Sequence, residues 1–407
     1  MKKTIIFLST YFICTTAILA QSVQLSLNPG YSTQSFYSMQ NGETQNVSSE
    51  NWDIAFSVGS MSSAIRVNDG KGVRLHSYKL GDTTDWNNIN AGSTANIGAA
   101  LYNSETSWST GAFDLHQTSQ FDLGWGIYSM ITHHVTGDSL YLIETINGNW
   151  KKLWMKKLAS GTYTFRHANL DGSNDILVTI DKNNYTNKNF VYYSLDNNSI
   201  EDSEPVNTNW DILFMKYISD LNGIPYPVTG ALINNNVEVA EANAADPSSY
   251  TNYSAHSFNS DINTIGFDWK TFQGTYTVDP NRCYFLRDMN QNIWRIVFTS
   301  FDGMSTGNLE FNATQLNSTN IEDAHKDKSF AMYPNPATEN VTFVYDLNKS
   351  NNLDIFDISG KKVYEKTLIG NGLKTYTTSL NNLDKGIYFV IISDMNKILV
   401  KEKLILH

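Results

Sequence analysis

The stretch that decides the fold is Asn51-Trp52-Asp53-Ile54-Ala55-Phe56, and it returns almost unchanged as Asn209-Trp210-Asp211-Ile212-Leu213-Phe214. Side chains alternate between the two faces of a β-strand, so we expect Trp52, Ile54 and Phe56 to share one face. An apolar face of this kind is typical of a strand that packs on a hydrophobic core. The repetition predicts two copies of one β unit.

Other segments repeat in the same order around this strand. Upstream, residues 176–180 match residues 23–27. Downstream, residues 122–125 and 266–269 each precede a predicted hairpin whose second strand combines basic and apolar residues. The matches predict two related antiparallel β domains, at residues 21–175 and 176–316.

A turn-forming run, Asn68-Asp69-Gly70-Lys71-Gly72, separates two apolar segments of the first copy. Asn, Asp and Gly favour tight turns because they adopt left-handed backbone conformations at low cost. The run therefore predicts a β-hairpin. The second copy lacks it and has Asn222-Gly223-Ile224-Pro225 nearby instead.

The composition favours an all-β protein and excludes some partners. The 407 residues include 13% aromatic residues and only 8 Pro. Short apolar alternations separated by polar loops are typical of antiparallel sheets. The chain carries 29 basic and 40 acidic residues, a net charge of −11. This acidity argues against nucleic acid and anionic membrane surfaces as partners.

The N-terminus has the pattern of a Sec signal peptide. Two Lys residues after Met1 are followed by an uncharged, apolar run that ends at Ala20, so residues 1–20 are predicted to be cleaved on export. No later apolar run reaches the roughly 20 residues of a membrane-spanning helix, so we expect no transmembrane segment in the mature chain. Cys14 would leave with the signal peptide. Cys283 is then alone, and we expect it to be a small buried apolar residue on a strand.

The C-terminal part has a separate organisation. Residues 317–329 are rich in Asn and Asp and predict a linker, and residues 330–407 contain six or seven short alternating runs. This pattern predicts a small Ig-like β-sandwich. Three motifs stand in it: Tyr333-Pro334-Asn335-Pro336-Ala337, Asp357-Ile358-Ser359-Gly360-Lys361-Lys362-Val363 and Leu383-Asp384-Lys385-Gly386-Ile387-Tyr388-Phe389-Val390.

These motifs and their order resemble the type A C-terminal sorting domain of the type IX secretion system. The resemblance covers essentially all of residues 330–407. It implies that the type IX secretion machinery is a partner of the chain. It also implies that the protein is secreted or attached to the outer surface of the outer membrane. It implies nothing about the activity of the preceding domains.

The repeated strand, the turn at residues 68–72 and the late hairpins together resemble the framework of the HmuY-like family, whose characterised members bind haem. The resemblance implies haem as a candidate ligand, clasped by axial His. His134 and His167 are the candidate axial pair and His133 is the alternative, because neighbouring His133 and His134 on a strand would face opposite sides. Trp86, Trp108 and Trp125 stand in Gly-rich loops and are candidates for stacking on a porphyrin or sugar.

The sequence shows no catalytic motif. It lacks Gly-x-Ser-x-Gly, His-Glu-x-x-His, Cys-x-x-Cys and P-loop patterns, so we expect no enzymatic activity and no required cofactor or metal. The pattern favours an exported binding protein, with haem or a glycan as its ligand. The alternative is a structural or adhesive surface protein whose β repeats present loops to a partner without a small-molecule ligand.

Overall fold

The computed structural model describes residues 20–317, 330–347, 351–369, 372–394 and 397–407. The predicted signal peptide, except Ala20, and the predicted linker, except residue 317, lie outside the described residues and stay predictions. Within the described residues, no helix has the length and apolar character needed to cross a membrane.

Antiparallel strands make up most of the described chain. The first sequence repeat contains β1 (Gln21–Ser26), β2 (Thr33–Ser38), β3 (Gly42–Ser48), β4 (Ile54–Ser57), β5 (Ile65–Val67), β6 (Arg74–Ser77), β7 (Gly126–Tyr128), β8 (Val135–Gly137), β9 (Tyr141–Glu144), β10 (Trp150–Ala159) and β11 (Thr162–Asn169). The second contains β12 (Ile176–Asp181), β13 (Phe190–Ser194), β14 (Ser199–Glu201), β15 (Ile212–Leu221), β16 (Ile224–Ile233), β17 (Glu238–Asn243), β18 (Lys270–Phe272), β19 (Tyr276–Val278), β20 (Arg282–Arg287), β21 (Ile293–Phe301) and β22 (Asn308–Asn317).

The C-terminal unit and the short helices complete the inventory. The C-terminal unit contains β23 (Phe330–Tyr333), β24 (Asn340–Leu347), β25 (Asn351–Asp357), β26 (Lys362–Leu368), β27 (Gly372–Ser379), β28 (Gly386–Asp394) and β29 (Lys397–Leu406). The helices are single 3₁₀ turns or little more: Pro29–Tyr31, Asp69–Lys71, Thr83–Asn87, Ala91–Asn96, Ala112–Asp114, Lys182–Tyr185, Tyr253–Ala255 and Gly303–Ser305. The all-β class is confirmed.

Each repeat exchanges its first three strands with the other repeat. The large sheets have the equivalent orders β1-β22-β21-β20-β17 and β12-β11-β10-β9-β6, the second with β8 and β7 added beside β10. The small sheets have the equivalent orders β16-β15-β2-β3 and β5-β4-β13-β14. The strands β1, β2 and β3 of the first repeat therefore complete sheets of the second, and β12, β13 and β14 complete sheets of the first.

The predicted domain boundary between residues 175 and 176 is consequently wrong as a boundary between folded units. The strand pairing instead outlines an inserted half, residues 50–206, and a split half, residues 20–49 together with 207–317. Each half has its own core, because the apolar faces of its large and small sheets pack together. The inserted core draws all its buried residues from 54–195, and the split core draws its residues from 23–39 and 212–313.

The repeated Trp-Asp strands, β4 and β15, lie inside their small sheets. Ile54 and Phe56 are fully buried in the inserted core, but Trp52 packs on the opposite side of the sheet with Ala55 and Tyr192. The prediction that Trp52 shares a face with Ile54 is wrong, because the regular strand begins only after Asp53. Trp210 takes the equivalent place beside Phe36. The two small sheets thus turn these aromatic faces toward each other.

The turn at residues 68–72 is not a hairpin, because β5 and β6, which it joins, belong to different sheets. Asn68 donates its side-chain amide to the carbonyl oxygens of Ser49 (2.8 Å) and Trp52 (3.0 Å). The counterpart in the second repeat is Asn234, which donates to Asn207 and Trp210 in the same way, and not the turn at residues 222–225. Gly70 lies against β15, where an added Cβ would stand 2.1 Å from the Lys216 carbonyl oxygen.

The C-terminal unit is a sandwich of two sheets, ordered β23-β24-β27 and β26-β25-β28-β29. The sequence motifs form its turns. The Asn335 side chain donates to the Lys403 carbonyl (2.7 Å) and accepts from the Ile405 amide (2.9 Å), which ties the first motif to β29. Asp357 accepts from the amides of Ser359 and Lys361, and these bonds close the turn of the second motif.

Candidate functional site

An open groove of about 950 Å³ lies in the split half. Its walls come from distant parts of the chain: the 3₁₀ turn before β2, the outer part of β16, the β18–β19 hairpin and the loop between β21 and β22. Four of its side chains are exposed although they are apolar or aromatic: Tyr226 (54%), Phe272 (64%), Tyr276 (37%) and Met304 (66%). Clustered exposed apolar side chains mark binding surfaces more often than isolated ones do.

The exposed rings continue an aromatic series that starts in the core. Phe272 and Tyr276 have ring centroids 4.9 Å apart, and Tyr276 meets the buried Phe301 edge-on at 4.7 Å. Tyr31 stacks on Phe301 at 6.1 Å. Gly303 lies directly beside the Tyr276 ring, where an added Cβ would be 2.8 Å from a ring carbon. Packing therefore fixes Tyr276 at its base and leaves its outer face free for a ligand.

Lys270 forms part of the groove floor. Its ammonium donates to the carbonyl oxygens of Thr229 (2.6 Å) and Phe267 (3.2 Å) and lies 4.1 Å from the Trp269 ring centroid. Burial lowers the pKa of Lys270 to about 7. The carbonyl oxygens and the ring face stabilise the charged form. Lys216 lines the groove wall and is a second basic side chain of the groove.

The structure does not bring the predicted His residues together. His134 precedes Val135, which pairs with Leu158 of β10, whereas His167 pairs with Leu153 of the same strand. Five residues along a strand correspond to roughly 16 Å. Two axial ligands must reach the same iron, so His134 and His167 do not form a clasp in this structure.

The surroundings of the individual His residues also argue against an axial pair. His133 and His134 lie in the turn between β7 and β8, so their predicted place on a strand is wrong. His133 Nδ1 lies 2.8 Å from the Tyr128 hydroxyl. His167 is buried, with Nε2 3.4 Å from the Tyr193 hydroxyl, and burial lowers its pKa to about 4. His167 is therefore neutral at physiological pH.

The three candidate Trp residues do not come together in one exposed stacking surface either. Trp86 and Trp125 are buried, because Trp86 packs with Leu140 and Leu142 and Trp125 lies in the core of the inserted half. Trp108 is half-buried between the two small sheets, and its Nε1 donates to the Ile233 carbonyl at 2.8 Å. Cys283 is fully buried on β20, as predicted, and forms no disulfide within the part of the chain that the structure describes.

The aromatic groove was missed because its members carry no shared sequence signal. Tyr31, Tyr226, Phe272 and Phe301 are far apart in the chain and meet only when β2 joins β15. One local sign was available: Phe272 and Tyr276 flank the turn Gln273-Gly274-Thr275, and connecting turns run over the protein surface. In the described part of the chain, no group of three or more His, Cys, Asp or Glu could hold a metal ion.

Comparison with known proteins identifies the C-terminal unit. Residues 331–407 match the family model of the secretion system C-terminal sorting domain, which confirms the predicted sorting domain. The protein is therefore exported by the type IX secretion system and is secreted or attached to the outer membrane surface. The sorting domain also makes the type IX machinery a partner of the chain.

The other comparisons add little. No curated protein matches the chain. Among solved structures, the crystal structure of dimeric latent PorU from Porphyromonas gingivalis aligns at 11% sequence identity with a TM-score of 0.16. The alignment covers 68% of this chain and 32% of that chain, so it takes in about a third of the PorU length. A TM-score this low does not indicate a shared fold.

Proposed function

We propose that the exported protein is a binding protein and that the aromatic groove of the split half is its ligand site. The observation that carries the proposal is the set of exposed rings at Tyr226, Phe272 and Tyr276 above a floor that the core holds rigid. A folded protein gains nothing from exposing such rings in one concave surface, whereas a ligand with a flat apolar face would bury them. We propose binding without catalysis and without a resident cofactor.

The ligand class follows from the groove chemistry. Aromatic rings stack on porphyrins and on the apolar faces of sugar rings, and Lys216 and Lys270 favour a carboxylate on the same molecule. Haem carries both features, and the HmuY-like resemblance of the repeat framework also favours it. A glycan is the other ligand that this groove chemistry favours.

Two binding assays on the purified protein test the proposal. The first is a titration with haemin, followed by absorption, and the second is binding to a glycan array. We expect a saturable haemin absorption change or a discrete set of glycan hits. Either signal should weaken about tenfold in a Phe272→Ala, Tyr276→Ala double variant, because each lost ring removes roughly 0.5–1.5 kcal/mol of stacking. Leu177→Ala, which removes an exposed apolar side chain elsewhere in the same unit, is the matched control.

The His variants separate the two routes to haem binding. Loss of the haemin signal in His134→Ala or His167→Ala, with the groove variant unaffected, would move the site away from the groove. Absence of both haemin and glycan signals would contradict the proposed function.

A specific observation also supports the adhesive alternative. The turn between β7 and β8 exposes Met130 (63%) and Ile131 (91%), and Met61 is exposed in the loop between β4 and β5. A partner surface that covers these tips would account for them. Capture on an array of immobilised proteins that is lost in a Met130→Ser, Ile131→Ser variant, but kept in the groove variant, would favour presentation of loops over ligand binding.

A further inference from the structure

A second pocket, of about 530 Å³, lies where the inserted half meets the split half. The loop after β4, the 3₁₀ helix Lys182–Tyr185 and the segment leading to β13 form most of its lining, and Asn207 and Asn235 close it from the split half. It shares no lining residue with the aromatic groove. Trp108 and Phe190 form its aromatic wall, with ring centroids 5.8 Å apart.

Lys182 gives the pocket an unbalanced positive charge. The residue is buried, with 5% of its surface exposed, and its ammonium donates to the carbonyl oxygens of Gly59 (2.7 Å) and Ser62 (2.8 Å). No carboxylate among the described residues forms an ion pair with it, and none lines the pocket. Buried charges in proteins are usually paired, because an isolated charge loses much of its solvation.

Lys152, a buried lysine of the same half, differs from Lys182 in having a carboxylate in its surroundings. Lys152 is also buried and also donates to two backbone carbonyls, those of Trp86 and Ile89. The Asp175 carboxylate acts on Lys152 and opposes the effect of burial on its pKa. Burial alone lowers the pKa of Lys182, with no opposing carboxylate.

The remaining lining offers uncommitted hydrogen-bonding groups. The hydroxyls of Ser60, Ser109 and Thr186 and the side-chain amides of Asn207 and Asn235 make no hydrogen bond to any other side chain or backbone group that the structure describes. Lys188, the second cation of the lining, already pairs with Asp202. Five free polar groups beside two aromatic rings suit a molecule with several hydroxyls and an apolar face.

We propose that this pocket binds a small hydroxylated carboxylate of the acidic-sugar class. The carboxylate supplies the counter-charge that Lys182 lacks. The sugar hydroxyls bond to the free Ser, Thr and Asn groups, and the ring lies against Trp108. The site is independent of the aromatic groove, so it stands or falls separately from the function proposed for that groove.

The test is calorimetric titration of the full exported chain with three probes: glucuronate, glucose and acetate. Glucuronate combines the charge and the hydroxyls, glucose has the hydroxyls alone and acetate has the charge alone. We expect saturable binding of glucuronate, at least about tenfold weaker binding of glucose and of acetate, and an affinity for glucuronate that falls as salt is added.

Matched variants locate the binding. Lys182→Met keeps the aliphatic stem and should weaken glucuronate binding about tenfold or more, whereas Lys152→Met should leave it unchanged. If Lys182→Met does not fold, Asn235→Ala tests the same pocket, because Asn235 is exposed and its side chain makes no internal bond. The proposal is overturned by absence of saturation at about 20 mM glucuronate, by equal binding of glucose, or by unchanged affinity in the pocket variants.

Discussion

At the scale of single residues, Asp53 and Asp211 explain why the Trp-Asp strand is repeated so closely. Both aspartates are buried where strands of one repeat pair with strands of the other. Asp211 accepts the Met39 amide at 2.7 Å, and Asp53 accepts the equivalent Leu195 amide at 2.7 Å. In each case the carboxylate of one repeat fixes the second strand of the other. A buried amide without this acceptor would be left unsatisfied.

We predict that Asp211→Ala destabilises the protein relative to Asp211→Asn by about 1–3 kcal/mol, because Asn keeps an oxygen for the Met39 amide and Ala does not. Chemical denaturation of both variants at one pH measures the difference. Asp53→Ala and Asp53→Asn should differ in the same direction. Equal stability of the Ala and Asn variants would show that the Met39 bond contributes nothing.

The pH dependence of stability tests the same carboxyl group. Burial raises the pKa of Asp211 from about 3.8 to about 6 in the folded state. The folded state therefore binds the proton more tightly than the unfolded state, and the wild type loses this contribution as pH rises from about 4 to about 6, at about 1.4 kcal/mol for each unit of pKa difference.

Asp211→Asn lacks this titration. We expect its stability relative to the wild type to increase over the same pH range and to be constant above it. The other buried carboxyl groups with raised pKa values, such as Asp114 and Glu204, are common to both proteins and cancel in the difference. A pH-independent difference would contradict the raised pKa.

At the scale of strands, the reciprocal exchange decides which fragments can fold. Residues 50–206 contain every strand of the inserted half and every residue of its core. The sequence repeat at 21–175 instead contains β1 and β2 without their partners β22 and β15, and it leaves β11 without β12. Unpaired strand edges and incomplete cores are unstable and prone to aggregation.

We predict that a fragment of residues 50–206 unfolds cooperatively on heating, whereas a fragment of residues 21–175 does not. Circular dichroism and calorimetry of the two fragments measure the difference. A mixture of two fragments, residues 21–49 and residues 207–317, should assemble into the split half and also unfold cooperatively, because the strand exchange places both fragments in that half. Cooperative unfolding of 21–175 alone would refute the exchange.

At the scale of the whole molecule, the described residues form two compact units, one within residues 20–317 and the other, the sorting domain, within residues 330–407. We expect sorting to depend on the folded sandwich, because the sorting motifs form turns that hold its strands in place. Asn335 makes the clearest example, because one side chain makes two hydrogen bonds to β29.

We predict that Asn335→Ala lowers the exported fraction and leaves precursor in the cell, because it removes two hydrogen bonds worth about 0.5–1.5 kcal/mol each from the sorting domain. Immunoblotting of medium, outer membrane and periplasm measures the distribution. Asn382→Ala, at an exposed site of the same domain, is the control. Unchanged export of the Asn335 variant would show that this turn is not needed for recognition.

The sequence by itself determined the properties that depend on local pattern. Period-two alternation of apolar residues predicted the all-β class, and the recurrence of the Trp-Asp strand predicted two repeats. The ordered motifs at residues 333–337, 357–363 and 383–390 predicted the export route. These features are local because each motif carries its own turn chemistry and each strand its own apolar face.

Only the tertiary structure decided the partners of the strands and the place of the candidate sites. Two similar repeats offer similar edges, so β1 matches β11 in pattern as well as it matches β22, and sequence alternation does not say which edge it joins. Chain connectivity and the packing of Trp52, Trp108 and Trp210 between the small sheets favour the exchange. The aromatic groove and the Lys182 pocket are built from segments that only this exchange brings together. His134 and His167 lie apart for a different reason, because their neighbouring strands pair with β10 at positions five residues apart.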